Sequence, residues 1–239
     1  MPLLEGKGVT RYFGGLAAVQ NVDFHVDQGE IVGLIGPNGA GKTTLFNLIS
    51  GALVPQSGEI RFKGENITGL KPHVICKKGI ARTFQLVRIF PNMSVLENVL
   101  MGVLFGKSDG HRMGPALEEA EKWLDFVGLS AVKGLPARSL TLANQKRLEV
   151  ARALATGPEL LLLDELMAGL NPTEVAQAME LVSRIWEQGI TVFMVEHVMK
   201  AIMGVCNRIM VFHHGEKIAE GTPQEIATSR TVIEVYLGE

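Results

Sequence analysis

Gly36-Pro37-Asn38-Gly39-Ala40-Gly41-Lys42-Thr43 has the spacing G-x-x-x-x-G-K-[ST] of a phosphate-cradling loop. The run before it, Ile31-Val32-Gly33-Leu34-Ile35, reads as a buried strand. The run after it, Thr44-Leu45-Phe46-Asn47-Leu48-Ile49, reads as an apolar-faced helix. Glycines at 36, 39 and 41 let the backbone wrap a polyphosphate with its N–H groups inward. The helix start adds unpaired donors and the positive end of its dipole. Lys42 would place its charge on the terminal phosphates, and the Thr43 hydroxyl would ligate Mg²⁺, a cation that takes oxygen ligands. The stretch therefore specifies a nucleoside triphosphate site.

Outward from the loop, the chain reads as strands and helices around a parallel sheet. Residues 3–35 contain strands, with Val22, Phe24 and Val26 on one face and a turn at Gly29-Glu30. A turn at Pro55–Gly58 leads to a strand at 59–63, and Ile80–Phe84 reads as a strand ending at Gln85. From about 92 to 156 the periodicity is helical, through Val95, Val99, Leu117, Leu124, Leu148 and Leu154, with a loop from Gly106 to Gly114. Leu160–Leu163 is wholly apolar, as in a strand covered on both faces. A helix over 172–188 opens on Pro172 and carries Val175, Met179, Val182 and Trp186 on one side. A strand at 190–195, a helix near 197–204 and a hairpin around His213-His214-Gly215 complete the pattern. The expected architecture is α/β: a mostly parallel core sheet, an early antiparallel β lobe, and an inserted helical lobe at about 92–156, all within one domain spanning 1–239.

Composition narrows the function classes. The chain has 239 residues and a net charge of −2, so no overall basic field points to nucleic acid. Cys76 and Cys206 make no disulfide framework and read as small buried hydrophobes. Met1–Lys7 lacks a signal-peptide core, and no apolar run approaches the ~20 residues of a membrane span. A membrane role would then work through a partner.

Further residues carry chemistry. Asp164-Glu165 ends the apolar strand, where ligands bind in open α/β sheets. There Asp164 would hold the Mg²⁺ water shell and Glu165 would polarise an attacking water. Gln85, at another strand end, is suited to touch the metal or the water; alone it equally reads as a surface amide. His197 would contact a terminal phosphate, or stand as a surface residue at a helix start. Phe13 would stack on a purine or sit in a core, and spacing does not decide between them. His213-His214 point to opposite faces of a strand and make a poor chelate, so they read as turn residues. Met199 and Met203 read as core, and Lys71, Lys77 and Lys78 as a solvated face.

Taken together, these motifs resemble an ABC transporter ATPase over essentially the whole chain. Gly36–Thr43 matches the Walker A loop, Leu160–Asp164 matches Walker B, and Glu165 stands at the catalytic carboxylate. Gln85 matches the Q-loop, His197 the switch histidine, and Phe13 the aromatic that stacks on adenine. The resemblance implies catalytic roles for Glu165, His197 and Gln85. It implies ATP contacts from Phe13, Gly36, Pro37, Asn38, Gly39, Ala40, Gly41, Lys42, Thr43 and Thr44, and Mg²⁺ contacts from Thr43, Gln85 and Asp164. The segments Arg11–Leu16, Ala81–Gln85, Phe90–Val99, Ala168–Pro172 and Tyr236–Glu239 are similar to the ATPases of branched-chain amino-acid importers. That subfamily implies a peripheral subunit on the cytoplasmic face of the inner membrane, paired with a sister or identical ATPase and docked on two permeases. A periplasmic binding protein would act indirectly.

The family signature L-S-G-G-Q is replaced by Leu140-Thr141-Leu142-Ala143-Asn144. Thr141, Ala143 and Asn144 would contact the partner's nucleotide. Ala143 stands for a glycine, which implies a weaker or altered contact. Leu166 replaces a proline and Asn171 an aspartate. Other classes fit less well. A DNA- or ribosome-directed ABC ATPase would bring a long coiled coil or tandem cassettes, and a phosphate-loop kinase or GTPase would not explain Gln85 and His197 in this order. Transport of lipopolysaccharide, or of urea or amides, is the alternative within the family.

Overall fold

The computed structural model describes residues 1–107 and 113–237. Part of the expected 106–114 loop, and Gly238-Glu239 of the C-terminal segment, lie outside the described residues. Among the described residues the strands form two sheets. The first is antiparallel and joins β1 (Leu4–Phe13), β2 (Leu16–Val26), β4 (Ser57–Phe62) and β5 (Glu65–Asn66) in the order β2-β1-β4-β5.

The second sheet carries the site. It joins β3 (Ile31–Ile35), β6 (Ile80–Arg82), β7 (Leu160–Asp164), β8 (Thr191–Val195), β9 (Arg208–His213) and β10 (Glu216–Gly221) in the order β10-β9-β3-β8-β7-β6. All its pairings are parallel except β9 with β10. Every residue of β3, β7 and β8 is buried, which explains why these runs are continuously apolar rather than alternating. The expected α/β architecture is the one found.

Helices cover both faces. On one face α1 (Lys42–Ile49) packs Phe46 against Phe193 of β8, with ring centroids 5.0 Å apart, in a cluster that also takes in Val9, Val19 and Phe24 of the antiparallel sheet. On the other face lie α3 (Val95–Phe105), α4 (Met113–Phe126), α5 (Leu142–Leu154), α6 (Pro172–Glu187) and α7 (Met199–Val205). Val99, Leu124 and Leu148 of the helical block share one core with Leu161 and Leu163 of β7. The antiparallel sheet and the helical block each share a cluster with the parallel sheet, which lies between the two.

Local chemistry sets several boundaries. Ser94 and Glu97 form a reciprocal capping box, so α3 begins at Val95 and not at 92. β6 ends at Arg82, although the Thr83 N–H still donates to Leu162 at 2.9 Å and extends the ladder toward Gln85. The buried stripe of α6 is Ala178, Leu181, Val182 and Ile185. Trp186 is 40% exposed, and its indole N–H donates to the Gly29 carbonyl. Met199 is likewise 40% exposed, while Met203 packs on the core. Three helices, α2 (Pro72–Lys78), α8 (Pro223–Thr228) and α9 (Arg230–Leu237), have no counterpart among the expected elements. For α8 the signal was legible: Thr222-Pro223-Gln224-Glu225 is a capping box with proline at the first helical position. His214 and Gly215, with φ of 47° and 82°, form the two-residue turn between β9 and β10.

Candidate functional site

The phosphate loop joins β3 to α1. Gly41 precedes the helix with φ 103°, and a Cβ there would meet the Ala18 carbonyl oxygen at 2.1 Å. No side chain caps α1 and its first turn holds no acidic residue, so its donors remain suited to an anion. Lys42 is 5% exposed and donates to the carbonyls of Gly36 (2.7 Å) and Pro37 (2.9 Å). Burial lowers its pKa, while the nearby carboxylates of Glu165 and Asp164 act to raise it. Lys42 therefore shares one electrostatic site with the end of β7. Thr43 is exposed at the start of the helix.

At the end of β7, Asp164 is 1% exposed. One carboxylate oxygen accepts from Arg82 Nη2 at 2.8 Å, and the other is buried without a hydrogen-bond partner among the described residues. Arg82 also donates to Asn47 Oδ1 (2.7 Å) and Ser50 Oγ (2.9 Å) on the loop's helix. A buried carboxylate oxygen in this state suits a hydrated divalent cation.

Glu165 follows with φ 52°, an uncommon conformation for a residue with a side chain. Its N–H donates to Val195 of β8 (2.9 Å), and its carbonyl accepts from Lys146 Nζ of α5 (2.8 Å). Its carboxylate accepts from Gln85 Nε2 at 2.9 Å and lies 2.8 Å from His197 Nε2. Thus the residues that follow β6, β7 and β8 meet on one carboxylate, at the carboxyl edge of the parallel sheet.

Other sequence-derived candidates lie apart from this cluster. Phe13, at the tip of the β1–β2 hairpin, is 46% exposed, with the Arg11 guanidinium 5.1 Å from its ring centroid. It is therefore a surface aromatic and not a core one. Thr141 caps α5 by accepting the Asn144 N–H (3.4 Å), and Ala143 sits in the first helical turn, where no positive φ is required. Leu166 is buried in the helix-side core. Asn171 caps α6, accepting the N–H groups of Thr173 and Glu174 at 3.0 Å each, which accounts for a short polar residue there.

Sequence reasoning missed Arg82, Lys146, Glu149 and Glu196. Their common signal is a charged residue at the end of an apolar strand or inside a helix that buries both its sides. Glu196 is 1% exposed and accepts the Met167 N–H at 2.7 Å. Burial raises its pKa to about 7, against the opposing pull of that N–H and of Lys146. The folded state thus holds an extra proton between the ordinary value of 4.5 and about 7, and this group's contribution to stability falls as pH rises through that window. Urea titrations from pH 4.5 to 7.5 should show a shallower fall for Glu196→Gln than for the parent chain. An unchanged slope would contradict the assignment. Cys206, beside it in the core, has its thiol pushed up to about 12 by burial and is not a nucleophile.

A groove of about 700 Å³ opens between α2, β6 and the helical block. Phe84, Arg88, Phe90, Met101 and Arg152 are among its lining residues. The Glu149 carboxylate accepts the N–H groups of Arg88 (2.8 Å) and Phe84 (3.4 Å), so α5 holds the segment on either side of Gln85.

Residues 19–168, which contain the phosphate loop and Asp164-Glu165, match the family model described as ABC transporter. The chain belongs to the ABC transporter family. Residues 216–239 of this ABC chain match a second model, branched-chain amino acid ATP-binding cassette transporter. The chain is 42% identical to the high-affinity branched-chain amino acid transport ATP-binding protein BraF of Pseudomonas aeruginosa, over 100% of this chain and 98% of BraF. The ADP conformation of MJ1267, an ATP-binding cassette of an ABC transporter, superposes with a TM-score of 0.90 at 31% identity, covering 100% of both chains. The dimeric post-hydrolysis state of the cassette MJ0796, bound to ADP and Pi, gives 0.83 at 27% identity, over 92% of this chain and 98% of that one. As an ABC ATPase the chain binds nucleotide through this domain. Among the described residues no helix is long and apolar enough to cross a membrane.

Proposed function

We propose that the chain is the ATP-hydrolysing subunit of an importer for leucine, isoleucine, valine or related amino acids. The observation that carries this reading is the match of residues 216–239 to the branched-chain amino acid cassette model, in a chain 42% identical to BraF from end to end. It favours amino-acid import over lipopolysaccharide, urea or amide transport.

ATP would lie along Gly36–Thr44, its adenine against Phe13 and its terminal phosphates under Lys42. Mg²⁺ would be held by Thr43, by Gln85 and, through water, by Asp164, whose unpartnered buried oxygen supports this placement; when bound it would neutralise charge on the phosphate oxygens. Glu165 would take a proton from the attacking water and hold it at a carboxylate oxygen. Gln85 and His197 already bond that carboxylate, so they can orient it and then turn to the nucleotide. Thr141, Ala143 and Asn144 would complete the ATP site of a second cassette, identical or sister, because one phosphate loop does not surround the γ-phosphate. Closure of the two would exclude water from the site and align the nucleophile.

The groove beside Gln85, lined by Phe84, Arg88, Phe90, Met101 and Phe105, suits a permease segment. Two permeases would therefore hold the chain on the cytoplasmic face of the inner membrane, with a periplasmic binding protein delivering the amino acid. The whole chain, with its helical lobe at about 92–156, would act as a single domain. Purification of the tagged native complex from membranes should recover a permease pair of amino-acid-importer type, and deletion of the gene should abolish leucine uptake through it. Recovery of permeases of another transport class would overturn the reading.

A further inference from the structure

Lys146 stands out as a buried cation that the hydrolytic scheme above leaves without a task. It lies in α5, five residues after Thr141, and is 6% exposed. Its ammonium donates not to a carboxylate but to the backbone carbonyl of Glu165, at 2.8 Å. Burial lowers its pKa, and the carboxylates of Glu196, Glu149 and Glu165 oppose that shift, so acidic groups surround it.

The carbonyl it binds belongs to the residue with φ 52°. Both polar backbone atoms of Glu165 are thereby held by different elements: the N–H by Val195 of β8, and the carbonyl by Lys146 of α5, the shorter of its two bonds, with the Ala168 N–H donating to it at 3.3 Å. Rotation out of the left-handed region would carry that carbonyl away from Lys146. The same rotation would swing the carboxylate away from Gln85 and His197. One helical turn further on, Glu149 holds the N–H groups of Phe84 and Arg88. A single helix therefore grips both the backbone of Glu165 and the segment carrying Gln85. The first turn of that helix contains Ala143 and Asn144.

We propose that Lys146 is a positioning residue that transmits the placement of α5 to the carboxylate of Glu165 through the Glu165 carbonyl. A nucleotide held by the partner cassette against Thr141–Asn144 would then bias the geometry of this chain's own Glu165. The inference rests on the reading of Glu165 as the base for ATP hydrolysis.

The test is steady-state MgATP hydrolysis by the complete transporter complex, with rates expressed per nucleotide-binding site so that unfolded molecules do not count. Lys146→Met should lower kcat by about 10–100-fold, the scale of a small misplacement, with KM changed less than about threefold. Lys146→Arg, which keeps the charge and a donor, should retain most of the turnover. Lys146→Met also removes a nearby positive charge that acts on the buried Glu196, so the pair Lys146→Met/Glu196→Gln should regain thermal stability without regaining turnover. In a Glu165→Gln background, Lys146→Met should cause no further loss, because it acts through the group already removed. Near-parental turnover in Lys146→Met or in the double variant would overturn the inference, as would a further loss added to Glu165→Gln. If the parental complex itself hydrolyses no ATP, it is the proposed function that fails.

Discussion

Glu165→Gln should lower ATP turnover by about 10²–10⁴-fold, the range contributed by a positioned general base. The substitution preserves shape. The amide oxygen can still accept from Gln85 or His197, and the backbone bonds to Val195 and Lys146 do not involve the side chain. What is lost is the capacity to take a proton from water. Nucleotide binding should remain close to that of the parent, because the loop at 36–43 and Lys42 are untouched. Thermal stability should not fall, since a carboxylate only 9% exposed gives way to a neutral group of the same volume. Phosphate release by the assembled complex, measured beside nucleotide binding, checks the prediction. Hydrolysis at near the parental rate would remove Glu165 from the base role.

Lys42→Ala should fail one step earlier. The ammonium would make charge-assisted bonds to the terminal phosphates, each worth about 1.5–3 kcal/mol, so loss of two such bonds weakens ATP binding by about 100-fold or more. There is a second cost. Lys42 also donates to the Gly36 and Pro37 carbonyls, and alanine leaves both without that donor. Lys42→Arg should not restore binding, because a planar fork does not replace a compact ammonium in a site 5% exposed. Fluorescent-nucleotide titration reads the effect directly. An affinity within about threefold of the parent would contradict the phosphate contact, since that is less than 1 kcal/mol.

The two variants also separate the halves of the scheme. Glu165→Gln should bind while turning over slowly, and Lys42→Ala should turn over little because it binds weakly.

Much of this site was legible in the sequence because its parts are local. Gly36–Thr43 is contiguous, and its flanking strand and helix are set by unbroken apolar runs. Asp164-Glu165, Gln85 and His197 could each be placed near a strand end, and parallel strands bring such ends together. The unread part was long-range. Arg82 and Asp164 are separated by 82 residues, and Lys146 reaches Glu165 from another element, α5. Their local patterns mark a charge set among apolar neighbours but do not name its distant partner. The left-handed conformation of Glu165 was equally hidden, since glutamate has no preference for it. The same limit explains Trp186, assigned to the core stripe of α6 by periodicity. Its indole N–H finds a partner only at the distant Gly29 carbonyl, which draws the ring to the edge.

The small turn at His214-Gly215 has a further consequence. The Gly215 N–H donates to Ala40 of the phosphate loop at 3.1 Å, and its carbonyl accepts from Gln20 of β2 at 2.8 Å. The turn thus stitches the loop to both sheets through bonds made wholly within the protein. Bonds of this kind move part of the cost of ordering the loop into folding, so a triphosphate bound there would keep more of its contact energy as affinity.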